Sequence, residues 1–187
     1  IDELIENPLV NEYFPILAAA CRQIGSSQIR NIATIGGNIV NAAPCADSMP
    51  PLIFYNASLK LLSKSGARNI KVEDFIIKSY QTQIKSTELL QMITIPLPKD
   101  NDHYIHYFQL GRRKAVNITR LSICLALRFD EQKKINYCRL AAGSLFAKPA
   151  ILPQIEELIL NRWIDKKLIR DLKYKIPPVL QKEIGKR

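Results

Sequence analysis

The stretch whose reading decides the rest is residues 29–48, IRNIATIGGNIVNAAPCADS. An apolar run leads into two adjacent glycines and an asparagine, and small and polar side chains then continue to a single acid, Asp47. Adjacent glycines lack a Cβ, so they reach positive φ without a clash and let another group approach the backbone; their N–H groups can converge on an anion. A diphosphate fits that description. Thr34 and Asn38 offer a hydroxyl and a carboxamide to the same oxygens, and Asn41 a further polar contact. Asp47 repels a phosphate but accepts well from ribose or ribityl hydroxyls. The stretch therefore suits a nucleotide better than a metal or a nucleophile. A second reading needs no ligand: Gly-Gly-Asn is common in tight turns, here between a strand IRNIATI and the next segment. The motif is neither G-x-G-x-x-G nor a Walker loop, so neither a Rossmann nor a P-loop fold is supported.

Upstream, residues 8–25 read as a helix: Ile16, Ala20 and Ile24 recur at i+4 steps, Pro15 suits a first turn and Gly25 a left-handed cap. Downstream, DSMPPLIFYNA reads as a short helix entered through Asp47 or Ser48, with its prolines in the first turn. Residues 58–77 alternate about Ser65-Gly66 as a hairpin, and 88–95 form another strand. Pro96 to Asp102 is the best linker, which places a domain boundary there, 1–96 and 97–187. Beyond it, 104–110, 120–129 and 134–142 read as an antiparallel meander. Leu121, Ile123, Leu125, Leu127 and Phe129 make the buried face of its central strand, with Ser122, Cys124 and Ala126 opposite. Tyr104 and Tyr107 are read as core. Helices follow at 151–161 and 165–175, the second capped by Asp165 and striped by Leu168, Leu172 and Ile176.

At 187 residues and 47% apolar, the composition is that of an ordinary globular protein, soluble and cytoplasmic by expectation, without an apolar run able to span a bilayer. Four scattered cysteines and two histidines give no metal spacing, so the thiols are expected mostly as small buried hydrophobes. The net charge of +10 gathers in residues 166–187. A solvated helix face accounts for it; a surface for an acidic partner is the alternative, and nucleic-acid binding lacks any stacking motif or helix-turn-helix.

The run QIRNIATIGGNIVNAAPCADSMPPLIFYNASLKL, with Gly25-Ser26 before it and ELLQMITIP after it, resembles the FAD-binding subunit of the molybdenum hydroxylases, the xanthine dehydrogenase and carbon monoxide dehydrogenase family. The resemblance continues through YFQLGRRKAVNITRLSICLAL and, more loosely, AAGSLFAKP. It implies an α+β fold: the second lobe of a two-lobed FAD-binding domain of the vanillyl-alcohol-oxidase (PCMH) type, then a C-terminal domain with a three-stranded antiparallel sheet packed on helices. It implies that Thr34, Ile35, Gly36, Gly37 and Asn38 wrap the FAD diphosphate, that Asn41 lies near it, that Asp47 binds a sugar or ribityl hydroxyl and that Val40 packs near the flavin. Gln91 stands where the family puts an apolar residue against the isoalloxazine ring, and Gln109 where many bacterial relatives carry lysine. By the same resemblance, electrons reach the flavin from two [2Fe–2S] clusters on a small partner subunit, after substrate oxidation at a molybdopterin on a large subunit, and leave to an acceptor such as NAD. No residue of this chain is expected to be catalytic or to hold a metal. An A-G-G-T-D-like loop and a D-x-R-x-x-x-Y-R-like segment are not found, so a separate N-terminal FAD lobe is a further candidate partner. The rival reading is an assembly module that keeps the fold without FAD.

Overall fold

The computed structural model describes residues 1–98, 103–111 and 118–184. Its first part is helical. After α1 (Asp2–Glu6), the Asn7 carboxamide oxygen accepts from the Leu9 and Val10 amides and starts α2 (Pro8–Tyr13). The helix expected over 8–25 breaks at Phe14, which precedes Pro15 and is pushed out of the α region (φ −132°, ψ 50°), and α3 (Pro15–Arg22) starts anew. Helix α3 buries Ile16, Leu17, Ala20 and Cys21. Gly25 takes the expected left-handed conformation (φ +51°). Residues 29–35, a strand in the turn reading, instead end helix α4 (Ser27–Ile32), started by the Ser26 hydroxyl accepting from the Ile29 amide, and lead into the next helix at Ile35. The start signal is the serine cap, for the isoleucines of α4 stay outside the core, Ile29 and Ile32 at 45% and 85% exposure.

Two short helices follow, α5 (Ile35–Asn41) and α6 (Met49–Phe54), the latter with Pro50 and Pro51 in its first turn as the sequence suggested. All six residues of α6 are buried, so it is a helix enclosed on every side. Strands β1 (Ser58–Ser63) and β2 (Gly66–Lys71) form the expected hairpin, Ser63 pairing with Gly66 across Lys64-Ser65. The second strand ends at Lys71 rather than Ile77. Val72 and Phe75, both 0% exposed and three apart, turn inward on the single turn α7 (Val72–Phe75), before β3 (Ile76–Lys78) and β4 (Gln81–Thr82). Strand β5 (Leu89–Thr94) pairs antiparallel with β1, giving the order β2-β1-β5. The register jumps from Lys60 facing Met92 to Leu61 facing Leu90, so Gln91 is the extra residue of a bulge. Of the linker 96–102, positions 99–102 lie outside the described residues.

The C-terminal meander is β6 (Tyr104–Gly111), β7 (Thr119–Phe129) and β8 (Ile135–Gly143), joined at the edge by a two-residue fourth strand, β9 (Ala150–Ile151). Both faces of this sheet are covered. Leu121 and its odd-numbered partners are only half-buried, and Ile123, Leu125, Leu127 and Phe129 pack in one cluster with α8 (Pro153–Ile159) and α9 (Lys166–Ile184). Cys124 and Ala126, placed opposite by the sequence, are 0% and 4% exposed and belong to the core shared with α3 and α6. The sequence reading of which face is more buried is thus reversed, because small side chains let the other layer come closer. Gly143 marks the closest approach: a Cβ there would fall 2.3 Å from Pro50 Cγ and 2.6 Å from Ser122 Oγ. Tyr107 packs on that shared core, but Tyr104 lies on the other face, 73% exposed, its ring edge on Phe129.

Asp165 accepts from the Leu168 amide at 2.6 Å, the expected cap. Helix α9 then runs past the expected end at 175 and through Pro177 and Pro178. Proline removes an intrahelical hydrogen bond, yet Leu168, Leu172, Ile176, Val179 and Leu180 all pack into the second core, and that packing overrides the local preference. Cys21, Cys124 and Cys138 are buried, and burial lifts the thiols of Cys21 and Cys138 to about 12 and that of Cys124 well above its ordinary value. They are unreactive spacers.

Candidate functional site

The glycine pair is not the turn of the second sequence reading. Thr34 is the N-cap of α5, its hydroxyl accepting from the Gly37 amide at 2.9 Å, and Gly36 and Gly37 fill the first turn at negative φ. The positive φ expected of them does not occur. What glycine supplies here is space. A Cβ on Gly37 would stand 3.0 Å from the Thr34 hydroxyl, and one on Gly36 meets only Leu90, at 3.6 Å. The first N–H groups of a helix have no intrahelical partner. Gly37 gives its own to Thr34 and Asn38 bonds the Thr34 carbonyl at 3.1 Å, so the amides of Ile35 and Gly36 point out of the helix end, bare of side-chain cover at Gly36.

Internal bonds use the acceptor halves of the neighbouring side chains and leave their donor halves. The Thr34 oxygen accepts from Gly37 and retains its own proton to give. The Asn38 carbonyl oxygen accepts from the Ser48 hydroxyl at 2.6 Å, which leaves the amide nitrogen as donor. A set of donors without a basic side chain fits the oxygens of a diphosphate, and on this ground the residues fit the nucleotide that the sequence suggested. Asn41 is exposed on the same helix face, one turn beyond Gly37. Val40 and Ile35 are half-buried against the core. Helix α5 is held at its far end by the left-handed Ala42, whose carbonyl accepts from the Tyr80 amide at 2.8 Å. Gln91 is exposed beside Leu90, the side chain nearest Gly36.

Asp47 behaves differently from the reach-out ligand that its sequence position suggested. It is 6% exposed, and Ser48, expected with it as a helix cap, spends its hydroxyl on Asn38 instead of on α6. The Asp47 Oδ1 accepts from the Thr119 hydroxyl at 2.6 Å and from the Tyr107 hydroxyl at 3.4 Å, while the Gln109 amide nitrogen donates to the Thr119 oxygen. Burial raises the carboxyl, and the donor groups of Thr119, Gln109 and Tyr107 around it oppose that rise. Burial also pushes the Tyr107 hydroxyl up, with the Asp47 charge adding to it. The loop that carries Asp47 is pinned from β8, where the Ser144 hydroxyl donates to the Pro44 carbonyl. Cys45 beside it is half-buried.

Thr119 was not foreseen. Strict alternation puts it with Leu121 and Ile123, away from Asp47. The pairs Leu110–Leu121 and Gly111–Thr119 leave Arg120 as an extra residue, and this bulge swings Thr119 onto the face of Ser122 and Cys124, opposite Gln109 and Tyr107. A separate cleft of about 500 Å³, lined by Tyr13, Phe54, Tyr55, Ile105, Tyr137 and Arg139 among others, includes none of the residues above. Its Arg139 is already spent on the Phe54 carbonyl at 2.6 Å and Asn56 Oδ1 at 2.7 Å.

Comparison with known proteins meets this geometry. The chain is 30% identical over 93% of its length to the glyceraldehyde dehydrogenase medium chain of Sulfolobus acidocaldarius, covering 60% of that protein. It is 32% identical over 85% of its length to a putative xanthine dehydrogenase FAD-binding subunit of Escherichia coli, covering 54% of it. The chain therefore spans little more than half the length of these relatives. Among solved structures, reconstituted CO dehydrogenase from Oligotropha carboxidovorans superposes with TM-score 0.82 at 25% identity, over 90% of this chain and 58% of that one. Quinoline 2-oxidoreductase from Pseudomonas putida 86 gives TM-score 0.82 at 19% identity over 99% and 70%, a likeness of fold. Residues 1–98, α1 to the end of the β5 segment with Thr34 to Asp47 at their centre, match the model of the FAD binding domain in molybdopterin dehydrogenase, and the chain belongs to that family.

Proposed function

We propose that this chain is the flavin-binding component of a molybdenum hydroxylase, with FAD seated at the N-terminal end of α5. The observation that carries the reading is the paired arrangement of outward amides at Ile35 and Gly36 with the donor halves of Thr34 and Asn38. In this reading Thr34 to Asn38 hold the diphosphate, Asn41 extends the polar face, Asp47 takes a hydroxyl of the sugar or ribityl chain, and Val40 and Gln91 flank the ring. The division at 96/97 is then one between a nucleotide-holding lobe and a sheet that supports it from behind. Bound FAD supplies the redox chemistry, between electrons delivered from iron–sulfur clusters on a small partner subunit and an acceptor such as NAD. The residues of this chain bind and orient; none among those described is placed as an acid, base or nucleophile. The molybdopterin belongs to a large partner subunit. Support comes from the family match over the site and from relatives whose names are those of medium chains and FAD-binding subunits.

The test is a titration of the purified chain with FAD and with riboflavin, followed by flavin fluorescence. Saturable one-to-one binding of FAD, with riboflavin weaker for want of the diphosphate, is expected. Equal binding of both, or of neither, would count against the reading.

A further inference from the structure

The knot around Asp47 joins two parts of the chain far apart in sequence: the loop after α5 and the paired ends of β6 and β7. Its donors are ordered. Gln109 gives an amide proton to the Thr119 oxygen, which satisfies that oxygen as acceptor and turns its own proton toward Asp47. Both hydroxyl bonds that Asp47 receives land on Oδ1. Thr119 and Ser122 are buried at 4% and 1% exposure, on the face that the Arg120 bulge created. A bulge that brings one hydroxyl onto a buried carboxylate, at the cost of regular pairing, is a specific arrangement.

We propose that Thr119, with Gln109 behind it, is a positioning residue for the cofactor site: from the C-terminal sheet it grips Asp47 by Oδ1 and presents Oδ2 to a hydroxyl of the flavin nucleotide. The inference rests on the flavin reading above for its ligand, but the grip itself is a property of the chain alone. It also gives the second part of the molecule a share in binding.

Two readouts on the full chain separate the possibilities. The first is FAD affinity against pH for wild type, Thr119→Val and Thr119→Ser. The second, without ligand, is the titration of the Asp47 carboxyl carbon by NMR, assigned by its loss in Asp47→Asn. Valine keeps the shape of threonine and removes the donor. Its expected effects are roughly tenfold weaker FAD binding, a factor that corresponds to losing one hydrogen bond to a charged group, and an Asp47 titration moved to higher pH. Affinity in Thr119→Val then fades at a higher pH than in wild type as pH is lowered, because the carboxylate protonates sooner. Serine restores both. If wild type binds FAD and Thr119→Val matches it in affinity and pH profile, the positioning role is overturned while the flavin reading stands. If FAD fails to bind but the carboxyl titration moves in Thr119→Val and returns in Thr119→Ser, the grip stands and the flavin reading falls. An unmoved titration with no binding overturns both.

Discussion

Strand β7 shows two ways of burying one strand. Its odd-numbered face, from Ile123 to Phe129, presents large side chains to the cluster of α8 and α9 and remains half-buried, an ordinary hydrophobic layer. Its other face carries Thr119, Ser122, Cys124 and Ala126, is buried almost completely, and lies against the layer of α6 and Asp47. Large side chains hold layers apart and tolerate adjustment; small ones bring layers to backbone distance, where polar groups must be matched atom by atom. The second arrangement is where Asp47 is held. It follows that the small face should be the less forgiving of the two and the one whose polar changes are felt in ligand binding.

The largest effect that would sharpen this contrast is expected at Gly143. Gly143→Ala drives a methyl into Pro50 and Ser122 and should cost about 3 kcal/mol or more, read as a loss of soluble protein or a melting temperature lower by about 10 °C. On the large face, Leu168→Ala removes a buried side chain from the second core and should cost about 2 kcal/mol, since α9 can settle into the space. A Gly143→Ala protein melting with or above Leu168→Ala would break the comparison.

Asp47→Asn comes next and should separate stability from binding. The carboxyl is raised by burial, so the folded chain favours its protonated form, and the contribution of Asp47 to stability falls as pH rises through that raised value. The amide removes this penalty at neutral pH. Melting temperature should hold or rise while FAD affinity falls roughly tenfold. The smallest effect lies outside both faces. Glu88 accepts two bonds from Arg68 and one from the Lys85 amide, and these hold its carboxyl down to about 2. Its contribution is present above the ordinary value of 4.5 and is lost as pH falls toward about 2. Acid unfolding followed by circular dichroism should be slightly steeper in that window for wild type than for Glu88→Gln.

The sequence made much of this legible. Alternation from Arg120 to Phe129 announced the central strand, Ser65-Gly66 the hairpin, and Asp165 the start of α9. The length of the match around Thr34 to Asp47 pointed to the flavin family before any geometry. Four things escaped it, each for a physical reason. The Ser26 cap that starts α4 was a helix signal, but the apolar composition of IRNIATI invited a strand. The glycines of α5 serve by leaving space in a helix end, which has the same one-letter signature as a turn. The position of Thr119 depends on a bulge, and a bulge is set by the partner strand and not by local pattern. Burial of the small face of β7 was likewise a tertiary fact, decided by α6.

The most direct test of the account is FAD affinity in Gly36→Ala set beside its melting temperature. A Cβ at Gly36 makes only an ordinary contact with Leu90, and alanine is the better helix residue, so stability should be held or raised. The methyl stands among the outward amides of α5, so affinity should fall at least about tenfold. Undiminished FAD binding by Gly36→Ala, at unchanged stability, would mean that the end of α5 does not hold the nucleotide.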